Sequence, residues 1–131
     1  MEIDFNNPNI FDMLLNIGKQ YGFDPQVPIE SETYFRKLLT EYPGNEDMST
    51  LESWLHKRVQ SDFVALEERP LWIQGPNWPF DNNLQPMIFI GQIDVKVEQE
   101  SKAAHYLHDD TTYYVFMAQD PDPFRIIVQQ F

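Results

Sequence analysis

The chain has 131 residues, of which 42% are hydrophobic and 15% aromatic, a composition typical of one folded domain with a single core. It contains no cysteine, which excludes disulfides, thiol catalysis and cysteine-ligated zinc. Its 21 acidic and 9 basic residues give a net charge of −12. Such a charge disfavours nucleic acids and anionic membranes, because binding to them relies on Lys and Arg.

The acidic excess extends along the chain, with 13 acids against 6 bases in residues 1–69 and 8 against 3 in residues 70–131. This charge would steer basic partners and raise their association rate, or it could serve solubility alone. No apolar run reaches the roughly 18 residues of a spanning helix. Met1-Glu-Ile-Asp-Phe5 lacks the features of a signal peptide. We therefore expect a cytoplasmic protein, with no membrane association and no cofactor.

The first helix is predicted to begin at Asn7-Pro8, where Asn can cap and Pro favours the first helical turn. Gly22 is expected to end it, and residues 23–29, which contain two prolines, are expected to form a loop. The apolar residues in between recur at helical spacing and predict one buried face: Ile10, Phe11, Leu14, Leu15 and Ile17.

Residues 1–68 form the predicted helical half of the chain, and two further helices are predicted in it after the first. Ser31 is expected to cap the second, which Pro43-Gly44 ends. Ser49 is expected to start the third, with Glu52 at the capping-box position, and the helix should run to about Leu66. The inward residues are then expected to be Phe35, Leu38, Leu39 and Tyr42 of the second helix, and Leu51, Trp54, Leu55, Val59 and Phe63 of the third.

The second half, residues 69–131, predicts strands. Alternation from Met87 should place Met87, Phe89, Ile93, Val95 and Val97 on one face, and Ile88, Ile90, Gln92, Asp94, Lys96 and Glu98 on the other. Residues 111–118 and 124–131 predict two further strands, and residues 71–74 a fourth. Helices followed by strands favour an α+β fold of residues 1–131 as one domain. About three helices would pack on an antiparallel sheet of three to four strands.

The segment from Arg69 to Phe80 is rich in tryptophan and proline and is the first candidate site. Its candidate binding residues are Trp72, Gln74, Trp78 and Phe80. Trp72, Trp78 and Phe80 could stack on a ligand or anchor a partner, or they could close one end of the core. We expect Trp78, held before Pro79, to be buried, which leaves Trp72 as the better candidate for ligand contact.

Two other groups of polar residues could carry chemistry. Gln92 and Asp94 share a strand face and are further candidate binding residues. The pair could perform acid–base work, although such pairs more often hydrogen-bond a neighbouring loop. His105, His108 and Asp109 have side chains that suit a divalent metal, although their spacing matches no specific signature. The competing interpretation is a solvated loop before a strand.

The residues Trp78-Pro79, Asp81-Asn-Asn83 and Pro86-Met-Ile-Phe-Ile-Gly-Gln-Ile-Asp94 resemble the YwqG-like bacterial family of unknown function. Tyr113-Tyr-Val-Phe116 is similar to a later aromatic strand of that family, so the resemblance covers roughly residues 69–117. Glu68-Arg69 replaces the family's usual Gly-Gly, as in a compact, divergent relative. The family has no established catalytic residues to transfer, and the resemblance is compatible with a bacterial interaction or immunity module.

We therefore expect a non-enzymatic bacterial module that binds another protein, in one version an immunity-type protein that neutralises a basic toxin. One alternative is a small-molecule or peptide-binding domain that uses Trp72 and Trp78. The other is a metal-dependent enzyme centred on His105, His108 and Asp109. The sequence leaves the partner and the oligomeric state open.

Overall fold

The computed structural model describes residues 5–44, 47–96, 110–118 and 124–130. Three helices, α1 (Pro8–Tyr21), α2 (Ile29–Glu41) and α3 (Met48–Asp62), precede three strands, β1 (Ile88–Val95), β2 (Thr111–Met117) and β3 (Phe124–Gln130). The strands form an antiparallel sheet in the order β1-β2-β3. The predicted α+β fold is confirmed, whereas residues 71–74 do not form a fourth strand. No helix in the described part of the chain is long and apolar enough to cross a membrane.

Helix α1 begins and ends where its sequence signals predict. The side chain of Asn7 accepts a hydrogen bond from the Asn9 amide at 2.9 Å, and Pro8 occupies the first helical position. Gly22 ends the helix in the left-handed conformation at φ 83°, which glycine adopts without steric cost. The apolar face between these ends is largely buried, and Leu14 and Ile17 belong to the core.

The starts predicted for the other two helices are wrong. Helix α2 begins at Ile29, and Ser31 lies inside its first turn, where its buried hydroxyl donates to the Asp24 carbonyl at 2.7 Å. Helix α3 begins at Met48 because Asp47 caps it, accepting from the Ser49 amide at 3.0 Å. An Asp at the N-cap also interacts favourably with the helix dipole.

Residues 63–80 form a layer of side chains between the helices and the sheet. On the helical side, the ring of Phe63 stacks on Phe23 and Phe35, with centroids 4.5 and 6.0 Å away. The indole of Trp78 contacts Phe63 edge-on, and on its other side it contacts Phe116 of β2, both at 5.3 Å. Residues 63–80, which we call the aromatic segment, therefore join the helical half to the sheet in one continuous core.

A β-bulge in β1 overturns the predicted alternation of its faces. Phe89 pairs with Phe116 but Gly91 pairs with Val115, so Ile90 is an extra residue without a partner on β2. One inserted residue reverses the face of every side chain after it. Met87 and Phe89 therefore share a face of the sheet with Gln92 and Asp94, while Ile93 and Val95 lie on the opposite face. The predicted face shared by Phe89 and Ile93 does not exist.

The sheet consequently has two different faces. We call the face that packs on the aromatic segment the inner face; Tyr114 and Phe116 on it are fully buried. The opposite, outer face holds Ile93, Val95, Tyr113, Phe124, Ile126 and Val128, whose side chains are 36–70% exposed. Ile88, Val115 and Met117 lie on the same outer face and are half-buried.

Candidate functional site

The buried side-chain amide of Gln129 on β3 fixes the segment 73–75, which follows Arg69. Its oxygen accepts from the amides of Ile73 at 3.0 Å and Gln74 at 2.9 Å. Its nitrogen donates to the Gly75 carbonyl at 2.9 Å. The Gln74 side chain in turn donates to the Gln130 carbonyl. One side chain thus supplies the hydrogen bonds that a neighbouring strand would otherwise give.

Gln92, Asp94 and Tyr114 form the second part of the same connection. The Gln92 oxygen accepts from the Leu71 amide at 2.9 Å, and the Tyr114 hydroxyl donates to the Leu71 carbonyl at 2.8 Å. Asp94 accepts from the Gln92 amide at 3.1 Å and from the Thr112 hydroxyl at 2.9 Å. Gln92 and Asp94 are therefore brought together, and both belong to the network that holds the segment against the sheet.

The titration properties of these groups follow from their hydrogen bonds. The bonds from Gln92 and then from Thr112 lower the pKa of Asp94 below its usual value, because both stabilise the carboxylate form. Burial raises the pKa of Tyr114, so its hydroxyl stays protonated and able to donate. Asp94 is thus an ionised acceptor near neutral pH, whereas a general base needs a pKa close to the working pH.

Beside this network, β1 and residues 67–71 enclose a cleft of about 400 Å³. Its lining includes Glu67, Glu68, Leu71, Asp94 and the bulged stretch 89–92. Glu67 and Glu68 are exposed, and neither has an ion-pair partner among the described residues. The cleft therefore combines three carboxylates with the exposed apolar side chain of Leu71, and it suits a cationic group with an apolar stem.

Arg69 lies at the cleft but its guanidinium is occupied by the core. It donates to the Phe63 carbonyl, and it lies over the rings of Tyr21 at 5.1 Å and Trp78 at 6.0 Å. Burial lowers the pKa of Arg69 from its ordinary high value, which leaves it charged at neutral pH. The arginine acts as a cation–π bridge between α1 and the aromatic segment.

The aromatic residues proposed as binding residues, Trp72, Trp78 and Phe80, make their main contacts within the protein itself. Trp78 is fully buried, as predicted, and its indole N–H donates to the Met87 carbonyl at 2.7 Å. Phe80 is buried as well. Trp72 is half-buried, with its ring 4.3 Å from that of Tyr114 and its N–H donated to the Gly22 carbonyl at 2.7 Å. Trp78 and Phe80 therefore offer no exposed surface to a ligand, and only part of Trp72 is accessible.

The most strongly perturbed titratable group lies between α2 and α3, away from the cleft. The Tyr34 hydroxyl donates to the Asp62 carboxylate, which also accepts from Arg58 at 3.2 Å. Burial, followed by the bond to Asp62, raises the pKa of Tyr34 well above its usual range. Its hydroxyl keeps its proton and links the two helices, the opposite of an activated nucleophile.

The proposed metal ligands His105, His108 and Asp109 lie outside the described residues. Within residues 5–44, 47–96, 110–118 and 124–130, no group of three or more His, Asp or Glu side chains is arranged to hold a metal ion.

Neither Glu67 nor Glu68 stands out in the sequence as a site residue. Their adjacency just before the tryptophan- and proline-rich residues 69–80 is a signal, but only the bulge at Ile90 brings Asp94 to the same cleft. Comparison with known proteins gives no matching family model, no matching curated protein and no matching solved structure.

Proposed function

We propose that this protein is a non-enzymatic binding module that holds a basic protein partner at the cleft beside β1. The observation that carries the proposal is the pair of exposed carboxylates, Glu67 and Glu68, which have no ion-pair partner among the described residues. Asp94 adds a third carboxylate to the same lining.

The net charge of −12 supports a basic partner, because long-range attraction raises the rate of encounter. Strand β1 lies at one edge of the sheet. Beyond its bulge it borders the cleft, so an extended basic segment could lie along it with its cationic side chains near the carboxylates. Within this proposal, an immunity role against a basic toxin is the most specific version, and it accords with the resemblance to the YwqG-like family.

The test begins with partner proteins captured from the source organism, whose affinities are then measured with purified components. Removing two charges at the cleft, in the double variant Glu67→Gln/Glu68→Gln, should weaken binding by about tenfold or more, as interface hot spots do. The matched control Asp12→Asn/Glu30→Gln removes the same charge from exposed positions on α1 and α2. It should change affinity less than about threefold.

Binding should also weaken as salt rises, because charges are screened beyond about 10 Å at 0.1 M ionic strength. Capture of only acidic proteins or RNA would contradict the proposal. Equal weakening by the two double variants would show that net charge acts without the cleft.

A further inference from the structure

The outer face of the sheet is a large uncharged apolar surface. Strands β1 to β3 contain two charged residues, Asp94 and Arg125. The register pairs Asp94 with Thr112 and Arg125 with Phe116, both of which belong to the inner face. Every charge of the described strands therefore points away from the outer face.

The apolar side chains of this face are contiguous. Ile93, Tyr113 and Val128 form one row across the three strands, with Ile126 and Phe124 following along β3. From their exposed fractions, the six side chains that define the face present on the order of 600 Å² of apolar surface. That is at the upper limit for the largest patch on a typical monomer, where such patches often mark interaction sites.

We propose that this protein forms a homodimer in which the outer faces of two copies pack against each other. This inference is independent of the proposed function, which uses the cleft on the β1 edge. The area is the first argument. The half-buried Ile88, Val115 and Met117 extend the patch, which brings it close to the roughly 800 Å² per partner of a standard interface.

Charge is the second argument for a second copy as the occupant. A basic partner finds no acidic side chain of the described strands on this face to pair with, whereas a second outer face matches it in polarity. A two-fold dimer places the same patch on both sides and needs only self-complementarity. Two sheets packed in this way lie about 10 Å apart and interdigitate their side chains.

The acidic charge of the molecule modifies this dimer without preventing it. Two copies that each carry −12 repel one another, but the two charged residues of the described strands lie off the outer face. Salt screens such separated charges and strengthens apolar association. The dimer should therefore become tighter as salt rises, whereas binding of a basic partner should become weaker.

The test is the mass of the full chain in solution, measured by analytical ultracentrifugation over a range of concentrations in low and high salt. The parent should approach twice the single-chain mass, and more readily in high salt. Ile126→Lys places a charge in the patch and should weaken dimerisation at least about tenfold. Ile29→Lys makes the same change on α2, where Ile29 is 82% exposed and lies outside the sheet, and it should dimerise like the parent.

Circular dichroism establishes that each variant is folded. If Ile126→Lys is not folded, Ile126→Thr replaces it, because Thr keeps the strand propensity while removing apolar surface. A parent that stays a single chain at every concentration in both salts overturns the proposal. So does a folded Ile126 variant that dimerises as tightly as the parent.

Discussion

Both faces of the sheet carry large apolar side chains, but the surroundings of the two faces are opposite. On the inner face, Tyr114 and Phe116 are fully buried beneath the aromatic segment, whereas Ile126 and Val128 on the outer face are at least half exposed. Alternation in an antiparallel strand normally separates an apolar face from a polar one. Here apolar residues occupy both, so burial of one face depends on the segment 63–80 rather than on the strands.

The largest expected effect is a difference in the free energy of unfolding between the removal of an aromatic ring beneath the inner face and the removal of one on the outer face. Trp78→Ala removes a fully buried ring that contacts both Phe63 and Phe116, and it should lower the free energy of unfolding by roughly 3–5 kcal/mol. Phe124→Ala removes a ring that is 70% exposed on the outer face. It should change the stability of the single chain by about 0.5 kcal/mol or less.

Urea unfolding of both variants at low protein concentration, where association is minimal, measures the difference. Similar losses of stability for Trp78→Ala and Phe124→Ala would show that the outer face is covered even in the single chain, and the contrast between the faces would not hold.

A smaller effect is expected from two adjacent glutamines that point to opposite faces of β3. Gln129→Met leaves the Gln74 amide without its acceptor and the Ile73 amide with the Tyr114 hydroxyl alone, 3.0 Å away, which should cost about 1–3 kcal/mol. Gln130→Met on the outer face removes only a long contact of 3.5 Å to the Thr111 hydroxyl and should cost about 0.5 kcal/mol or less.

Thermal melts rank the two glutamine variants, and amide hydrogen exchange locates the effect. Protection of Ile73 and Gln74 should fall in Gln129→Met and persist in Gln130→Met. Unchanged exchange at both amides in Gln129→Met would mean that Gln129 does not hold the segment.

Local signals in the sequence predict where a helix begins or ends when a single residue determines that boundary. Asn7-Pro8 and Gly22 define α1 because capping and left-handed geometry depend on nearest neighbours. The prediction that Ser31 caps α2 is wrong because Ser can serve either as a helix cap or as a buried hydrogen-bond donor. The position of the Asp24 carbonyl determines that Ser31 acts as a donor.

The candidate site is less predictable because it depends on one inserted residue. The apolar run from Met87 to Ile90 gives no indication of where alternation resets, and Gly91 is the only local hint of a bulge. Without the bulge, Asp94 would not share a face with Phe89. The meeting of Asp94 with Glu67 and Glu68 is thus a property of the tertiary structure.

The smallest expected effect uses pH to distinguish neighbouring residues on opposite faces of β1. Hydrogen bonds from Gln92 and Thr112 lower the pKa of Asp94 in the folded state. A lowered folded-state pKa contributes stability that is present above the unfolded pKa of about 3.9 and is lost as pH falls through the folded value. Asp94→Asn should therefore melt below the parent at pH 7, and this difference in melting temperature should shrink as the pH falls below about 4.

Val95→Thr, which changes an adjacent outer-face residue without a titratable group, should keep a constant difference in melting temperature from the parent over the same range. Melting curves between pH 7 and the acid limit of folding, in steps of about half a unit, resolve the two behaviours. If the difference for Asp94→Asn were as constant as that for Val95→Thr, the carboxylate would not be stabilised by its two donors, Gln92 and Thr112.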